Sequence, residues 1–117
     1  MISDKAVIDK SSKLESSTEV GPFSIIGREV KIGRNVKISS HVVITGDTSI
    51  SDDCEIFSFA SIGNTPQDLK FKGEKTKLII GKKNKIREYV TINPGTEHGG
   101  GVTKIGDRKS TRLNSSH

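Results

Sequence analysis

The apolar residues of this chain recur with a period of six. Every sixth residue from position 2 to position 62 is Ile, Leu or Val, without exception over eleven steps. These residues are Ile2, Ile8, Leu14, Val20, Ile26, Ile32, Ile38, Ile44, Ile50, Ile56 and Ile62. Six is not a multiple of the 3.6-residue helical period, but it is three times the two-residue period of a strand. The pattern therefore predicts β-strands and argues against an amphipathic helix.

A second set of positions has the same period. Four residues after each of the first ten aliphatic residues comes a small or β-branched residue. These are Ala6, Ser12, Thr18, Ser24, Val30, Val36, Val42, Thr48, Cys54 and Ala60. With one large and one small side chain inward per six residues, three units close a triangular coil, and stacked coils pair as parallel strands about 4.8 Å apart. We expect an all-β fold, a parallel β-helix of hexapeptide repeats with about five coils. An antiparallel sandwich would not keep one phase for so long.

The composition suits this narrow prism. Only 31% of the 117 residues are hydrophobic and 4% are aromatic, with no Trp, so a core of large side chains would be hard to build. The net charge of +5 comes from scattered residues, which argues against a nucleic-acid surface and fits an acidic ligand or partner. The single cysteine, Cys54, excludes an internal disulfide and falls on the small inward positions, so we expect a packed core thiol.

The period fails once in the middle of the chain. Positions 68 and 74 are Asp and Glu, and the aliphatic residues resume in the same phase at Ile80, which predicts a loop excursion near residues 63–79. This loop offers an amide (Gln67), a carboxylate (Asp68) and an ammonium group (Lys70). Together these groups suit a polyhydroxylated, phosphorylated ligand. The alternative is a solvated excursion whose charges bind nothing specific.

A second break covers residues 97–104, and Ile105 follows one residue out of phase. The last residues, 107–117, read "DRKSTRLNSSH" and have neither the aliphatic steps nor a strand pattern. We expect residues 1–106 to form an incomplete β-helix and residues 107–117 to be a foreign tail, derived from a vector or adaptor.

The three histidines do not form a recognisable metal site. His41 lies three residues after Ile38, at a turn position, and is expected to be an exposed corner residue. His98 precedes three glycines and is expected to be loop scaffold, and His117 ends the suspected foreign tail. A metal site would need partners at suitable positions, and none is visible in the sequence.

Four segments resemble one bacterial enzyme family. "HVVITGDTSI", "FSFASIGNTPQDLKFKGEKTKL", "NKIREYVTINPGT" and "HGGGVTKIG" are similar to the N-terminal part of acyl-[acyl-carrier-protein]–UDP-N-acetylglucosamine O-acyltransferases. The resemblance runs from about Ala6 to Gly106, roughly the first two-fifths of a family member. The "PQDLKF" loop and the "GGGVTKIG" block are specific to this family and are not general features of hexapeptide-repeat proteins.

The resemblance implies a left-handed winding and a reaction. The family transfers a 3-hydroxyacyl chain from acyl carrier protein to the 3-hydroxyl of UDP-N-acetylglucosamine, the first step of lipid A biosynthesis, without a metal or organic cofactor. A histidine acts as general base, and a backbone amide stabilises the oxyanion. The resemblance also implies a homotrimer with active sites between neighbouring prisms. The sequence shows no apolar stretch of signal-peptide length and none of the roughly 20 residues that span a bilayer, so we expect a cytoplasmic protein with no membrane span and, from its scattered charge, no nucleic-acid partner. Gln67 and Asp68 would contact the sugar nucleotide, and Lys70 would lie near its phosphates.

The sequence departs from the family at two points. The family's "HIAHD"-like motif, which carries the catalytic histidine, is matched nowhere in this chain, so no catalytic residue is assigned and this chain by itself is expected to be inactive. Where relatives often have "VTIHRGT", this chain has Asn93 and Pro94 in "VTINPGT", which leaves no histidine side chain there.

The sequence is compatible with three other functions to different degrees. The first is a hexapeptide-repeat O-acetyltransferase that uses acetyl-CoA, and the "PQDLKF" loop argues against it. The second is a β-helical metalloprotein similar to carbonic anhydrase, which would need several histidines where the repeats supply only His41. The third is a purely structural solenoid such as an ice-binding protein, whose flat rows of Thr are replaced here by mixed charges.

Overall fold

The chain is built from very short strands that repeat at every turn of a coil. The computed structural model describes residues 1–63, 77–92 and 102–112. Within these residues there are fifteen strands, numbered along the chain. Their bounds are β1 Val7–Ile8, β2 Lys13–Leu14, β3 Glu19–Val20, β4 Ile25–Ile26, β5 Lys31–Ile32, β6 Lys37–Ile38, β7 Val43–Ile44, β8 Asp47–Ile50, β9 Glu55–Ile56, β10 Ser61–Ile62, β11 Lys77–Ile80, β12 Lys85–Ile86, β13 Thr91–Ile92, β14 Val102–Ile105 and β15 Ser110–Thr111.

The strands form three parallel sheets of five strands each. Sheet 1 has the order β1-β4-β7-β10-β13, sheet 2 β2-β5-β8-β11-β14, and sheet 3 β3-β6-β9-β12-β15. Every third strand returns to the same sheet, so the chain winds through five coils of three strands. We call the turn from sheet 1 to sheet 2 the first corner, the turn from sheet 2 to sheet 3 the second corner, and the turn from sheet 3 to the next coil the third corner. The predicted parallel β-solenoid is confirmed.

The core is the space inside the three sheets. In most of the two-residue strands the first side chain faces solvent and the second faces inward: Lys31 is exposed, and Ile32 is buried. The inward aliphatic residue lies over its equivalent in the next coil, as in the pair Ile44 and Ile62. Burial of one such side chain contributes about 1.5–3 kcal/mol. The small inward residues fill the gaps, and Cys54 is buried among them as predicted.

The corners turn through residues in the left-handed backbone region. His41 has φ 58° at the third corner and is exposed, which confirms its predicted corner position. Its N–H donates to the carbonyl of Pro22 in the preceding coil at 3.2 Å. At the second corner, the Asp52 carboxylate accepts a hydrogen bond from the N–H of Arg34 at 2.8 Å. These contacts satisfy polar groups at the turns and join each coil to the next.

Both breaks in the period end earlier than the sequence suggested. The chain is already in β11 at Lys77, so the excursion predicted to reach residue 79 is at least three residues too long. Likewise β14 begins at Val102, inside the second predicted break. The reason is that β8 has four residues and offers extra pairing partners, since Lys77 pairs with Asp47 and Leu78 with Thr48.

The described start of the tail continues the fold. The expectation that this segment lacks strand structure is wrong for Ser110–Thr111, which pair with β12. The Asp107 carboxylate accepts from the N–H of Lys82 at 2.7 Å, the same kind of contact that Asp52 makes with Arg34 two coils earlier at the same corner. Backbone pairing and this side-chain contact do not need an aliphatic residue at each sixth step. The origin of residues 107–117 as a foreign segment stays a prediction.

Candidate functional site

The two breaks in the six-residue period fall at the same corner of consecutive coils. The first lies between β10 and β11 and the second between β13 and β14, so both occupy the first corner. Ile62 pairs with Ile92 where the segments leave, and Lys77 pairs with Val102 where they return. Paired parallel strands lie about 4.8 Å apart. Two sequence insertions that are about 30 residues apart in the chain therefore begin and end side by side.

The residues predicted to bind ligand belong to these insertions. Gln67, Asp68 and Lys70 lie outside the described residues, and so do Asn93, Pro94, His98 and His117. Their predicted roles stay predictions.

The first excursion follows Gly63, which lies in a tightly packed position. Gly63 is buried and has φ +77°, and its N–H donates to the carbonyl of Ile92 at 2.7 Å. A β-carbon at residue 63 would overlap the carbonyl oxygen of Thr45 and the hydroxyl oxygen of Thr48. Only glycine fits this conformation and this space without strain. The preceding coil therefore fixes the backbone conformation of Gly63, the last described residue before the first excursion.

The first corner of the third coil, which precedes the first excursion, is a tight turn. Gly46 has φ +75°, and its carbonyl accepts from the N–H of Thr48 at 2.8 Å. The Thr48 hydroxyl donates to the carbonyl of Thr45 at 2.8 Å. These bonds fix the backbone of this corner in the coil that precedes the first excursion. Binding residues are often found on loops held in this way.

A lysine lies on the strand that follows each excursion. Lys77 is the first residue of β11 and lies in register with Asp47 of the preceding coil. Lys104 lies on β14, in register with Ile79. Both side chains belong to the outward set, because Leu78 is the buried neighbour of Lys77 and Ile105 is the more buried neighbour of Lys104. Lysines at this rim favour a ligand that carries negative charge, such as a phosphate.

The second corner holds a polar cluster that the sequence analysis did not assign. Asn84 is 1% exposed; its side-chain N–H donates to the carbonyl of Gly81 at 2.9 Å, and its oxygen accepts from the N–H of Lys109 at 2.7 Å. The thiol of Cys54 donates to the same Gly81 carbonyl at 3.0 Å. Burial raises the pKa of this thiol, which disfavours the reactive thiolate form. Continuing the small inward positions past the excursion would have found Asn84.

An aromatic column runs along the third corner. It consists of Phe23, His41, Phe59 and Tyr89, all with positive φ. The ring centroids of His41 and Phe59 are 4.9 Å apart, and those of Phe59 and Tyr89 are 5.3 Å apart with nearly parallel planes. The sequence signal was a spacing of 18 residues between Phe23, His41 and Phe59, one full coil each. Of these four residues, only His41 was assigned a position from the sequence.

Within residues 1–63, 77–92 and 102–112, no three side chains of His, Cys, Asp or Glu come together in a way that would hold a metal ion. The same residues contain no helix long and apolar enough to cross a membrane.

Comparison with known proteins finds a matching family model and curated relatives that share one name. The family model described as bacterial transferase hexapeptide (six repeats) matches residues 11–46. The acyl-[acyl-carrier-protein]–UDP-N-acetylglucosamine O-acyltransferase of Herminiimonas arsenicoxydans is 58% identical over 106 residues, which cover 91% of this chain and 40% of that protein. The protein of the same name from Xanthomonas campestris is 49% identical over 107 residues. This chain thus spans about two-fifths of the length of these two curated relatives.

Solved structures agree with the sequence comparison. The UDP-N-acetylglucosamine acyltransferase of Francisella novicida superposes with a TM-score of 0.89 at 40% identity, covering 95% of this chain and 41% of that one. An acyltransferase structure from Acinetobacter baumannii superposes with a TM-score of 0.88 at 46% identity. The superposition covers 93% of this chain and 42% of the Acinetobacter chain.

Proposed function

Because this chain belongs to the acyl-[acyl-carrier-protein]–UDP-N-acetylglucosamine O-acyltransferase family, we propose that it supplies the sugar-nucleotide side of such an active site. The reaction is the transfer of a 3-hydroxyacyl chain from acyl carrier protein to the 3-hydroxyl of UDP-N-acetylglucosamine, in lipid A biosynthesis. The observation that carries this proposal is the shared first corner, where two insertions leave consecutive coils of a rigid prism.

The chemistry of the first excursion supports a sugar-nucleotide ligand. The Asp68 carboxylate accepts hydrogen bonds from sugar hydroxyls, and the Gln67 amide both donates and accepts. The Lys70 ammonium group compensates the charge of the diphosphate, with Lys77 and Lys104 adding positive charge at the rim. Holding the sugar in one orientation presents its 3-hydroxyl to a general base and lowers the barrier by positioning.

The wider setting follows from the same family membership. Acyl carrier protein is the donor named for the curated relatives, and a homotrimer with sites between prisms is the assembly that the resemblance implies. We place the protein in the cytoplasm, where acyl carrier protein and nucleotide sugars are made.

The test is an acyl-transfer assay on the complete gene product that contains this chain. We expect Asp68→Ala to lower kcat/KM by about 100-fold, because a charged hydrogen-bond partner of the sugar is lost. Asp4→Ala, at an exposed position of the first coil, is the matched control and should leave kcat/KM unchanged. Equal activity of the Asp68→Ala variant and the unmodified enzyme would remove the first excursion from the mechanism.

A further inference from the structure

The outward face of sheet 2 places two lysines directly opposite each other. Lys13 of β2 and Lys31 of β5 are paired in register on the first two coils, and both side chains are exposed. Ser49 of β8 follows in register on the third coil. The three residues therefore lie in one line along the prism, about 4.8 Å from one to the next. We call them the basic row.

Like charges in register are unfavourable unless something compensates them. Two lysines that face each other on paired strands destabilise a sheet. Among the residues that the structure describes, the only salt bridge is between Arg87 and Glu88, so no described carboxylate forms a salt bridge with Lys13 or Lys31. An arrangement that breaks a local rule without structural compensation indicates a functional site.

Sheet 3 shows the same outward positions when their charges stabilise the fold. Its row of Glu19, Lys37, Glu55 and Lys85 is in register over four coils. Each lysine there lies opposite a glutamate, which is the favourable cross-strand arrangement. The two lysines of the basic row depart from this arrangement, and an anion from solution would compensate them.

The basic row lines an open groove on the surface of sheet 2. The groove has a volume of about 650 Å³, which is typical of a small-molecule site. Glu15 and Gly33 also line it, two residues beyond the two lysines on the same coils. Because Gly33 has no side chain, space remains beside the lysines for a ligand larger than a single ion.

We propose that this groove binds a small hydroxylated phosphate ester through its phosphate group. The ammonium groups of Lys13 and Lys31 donate to the phosphate oxygens and compensate its charge of about −2, and the Ser49 hydroxyl donates another hydrogen bond. Lysine suits this role because its charge is carried on a flexible stem, so two neighbouring side chains can converge on one group.

Glu15 determines which part of the ligand lies at its end of the groove. Its carboxylate repels a second anionic group but accepts hydrogen bonds from hydroxyls. The phosphate therefore lies at the lysines and the hydroxylated part lies towards Glu15. An ester of this kind fits the groove better than inorganic phosphate, which has no hydroxylated part to offer.

The groove is separate from the first corner where the two insertions meet. The basic row belongs to the first three coils, whereas the insertions follow β10 and β13 of the fourth and fifth coils. The proposal concerns a second binding site and does not rest on the acyl-transfer reaction. It can therefore fail or succeed independently of the proposed function.

The experiment is an NMR titration of the 117-residue chain with glycerol 3-phosphate, followed through the backbone amides. We expect the amides of Lys13, Lys31 and Ser49 to shift and saturate, which NaCl of equal ionic strength does not reproduce. Lys31→Ala should raise the dissociation constant about fivefold, because one of the two cations is lost. Lys37→Ala is the matched control, since it removes an outward lysine of the same coil from sheet 3. It should leave the dissociation constant unchanged.

Two further variants separate a binding role from a structural one. Lys13→Glu places opposite charges in register, so it should raise the urea midpoint of unfolding while it abolishes binding. Glu15→Ala should remove the preference for glycerol 3-phosphate over inorganic phosphate. Circular dichroism checks that each variant is folded.

Several results would overturn the proposal. One is the absence of saturable shifts at about 20 mM glycerol 3-phosphate. Another is equal weakening by Lys31→Ala and Lys37→Ala, or shifts spread over all exposed lysines, which would show unspecific attraction of anions. Vesicles of phosphatidylcholine with phosphatidic acid present the same phosphate chemistry on a lipid. Binding to these vesicles without binding to glycerol 3-phosphate would contradict a soluble ligand.

Discussion

Replacement of Gly63 by alanine tests whether the first excursion is anchored as the structure indicates. Gly63 has φ +77°, in the region that L-residues avoid, and its backbone N–H is bonded to Ile92. A β-carbon there would overlap oxygen atoms of Thr45 and Thr48. One of these is a backbone atom of the preceding coil, so relief of the overlap requires the two coils to move apart.

The size of the effect can be worked out from these contacts. Placing alanine in the left-handed region costs about 1 kcal/mol. Separating the two coils disturbs the hydrogen bond from the Thr48 hydroxyl to the Thr45 carbonyl, worth about 0.5–1.5 kcal/mol. Strain in the hydrogen bond from the Gly63 N–H to the Ile92 carbonyl adds a similar free-energy cost. We expect Gly63→Ala to lower the free energy of unfolding by about 2–4 kcal/mol.

The assay is urea denaturation followed by circular dichroism. Gly106→Ala is the matched control, because the nearest atom to its new β-carbon is the Cε of Lys109 at 3.7 Å, a flexible side-chain end. Gly106→Ala should shift the midpoint little. If Gly63→Ala and Gly106→Ala both unfold at the same urea concentration as the unmodified chain, the contacts of Gly63 do not anchor the start of the first excursion. That result would refute the reasoning.

Two further predictions concern the second corner. Burial raises the pKa of the Cys54 thiol in the folded chain above its ordinary value of 9.0, so its contribution to stability is complete below pH 9.0 and is lost as the pH rises through the folded-state value. Iodoacetamide should therefore modify Cys54 much more slowly in buffer than in 8 M urea at the same pH, and equal rates would contradict its burial. Asn84→Ala should lower the free energy of unfolding by about 1–3 kcal/mol, because the Gly81 carbonyl loses one donor and the Lys109 N–H loses its acceptor. An unchanged urea midpoint would show that water replaces both bonds.

The sequence predicted the repeating part of the fold because each coil follows one local rule. Ile32, Ile50 and Ile80 stack along sheet 2 because each is the inward residue of its strand, and the six-residue period shows this directly. The breaks were found for the same reason, since a strict pattern makes its interruptions visible. Their ends were misplaced because Lys77 and Val102 join strands through pairing with another coil, which no local pattern contains.

The tail and the polar corner illustrate the same limit. Thr111 occupies an inward step without being aliphatic, and its strand forms because β12 offers an edge. Asn84 is a polar residue at an inward step, and it is tolerated because both polar atoms of its side chain have a hydrogen-bond partner. Neither satisfaction of hydrogen bonds nor an available edge can be read from hydrophobic periodicity.

The central claim is that the first corner, where both excursions leave the prism, holds the sugar nucleotide. The most direct measurement is methyl NMR of the complete gene product with labelled isoleucines, titrated with UDP-N-acetylglucosamine. Ile62, Ile80 and Ile92 flank the excursions, whereas Ile32 and Ile38 lie in the second coil, away from them. The account predicts that the resonances of the first three residues shift and those of the last two do not. Shifts confined to Ile32 and Ile38, or no shifts at saturating ligand, would contradict it.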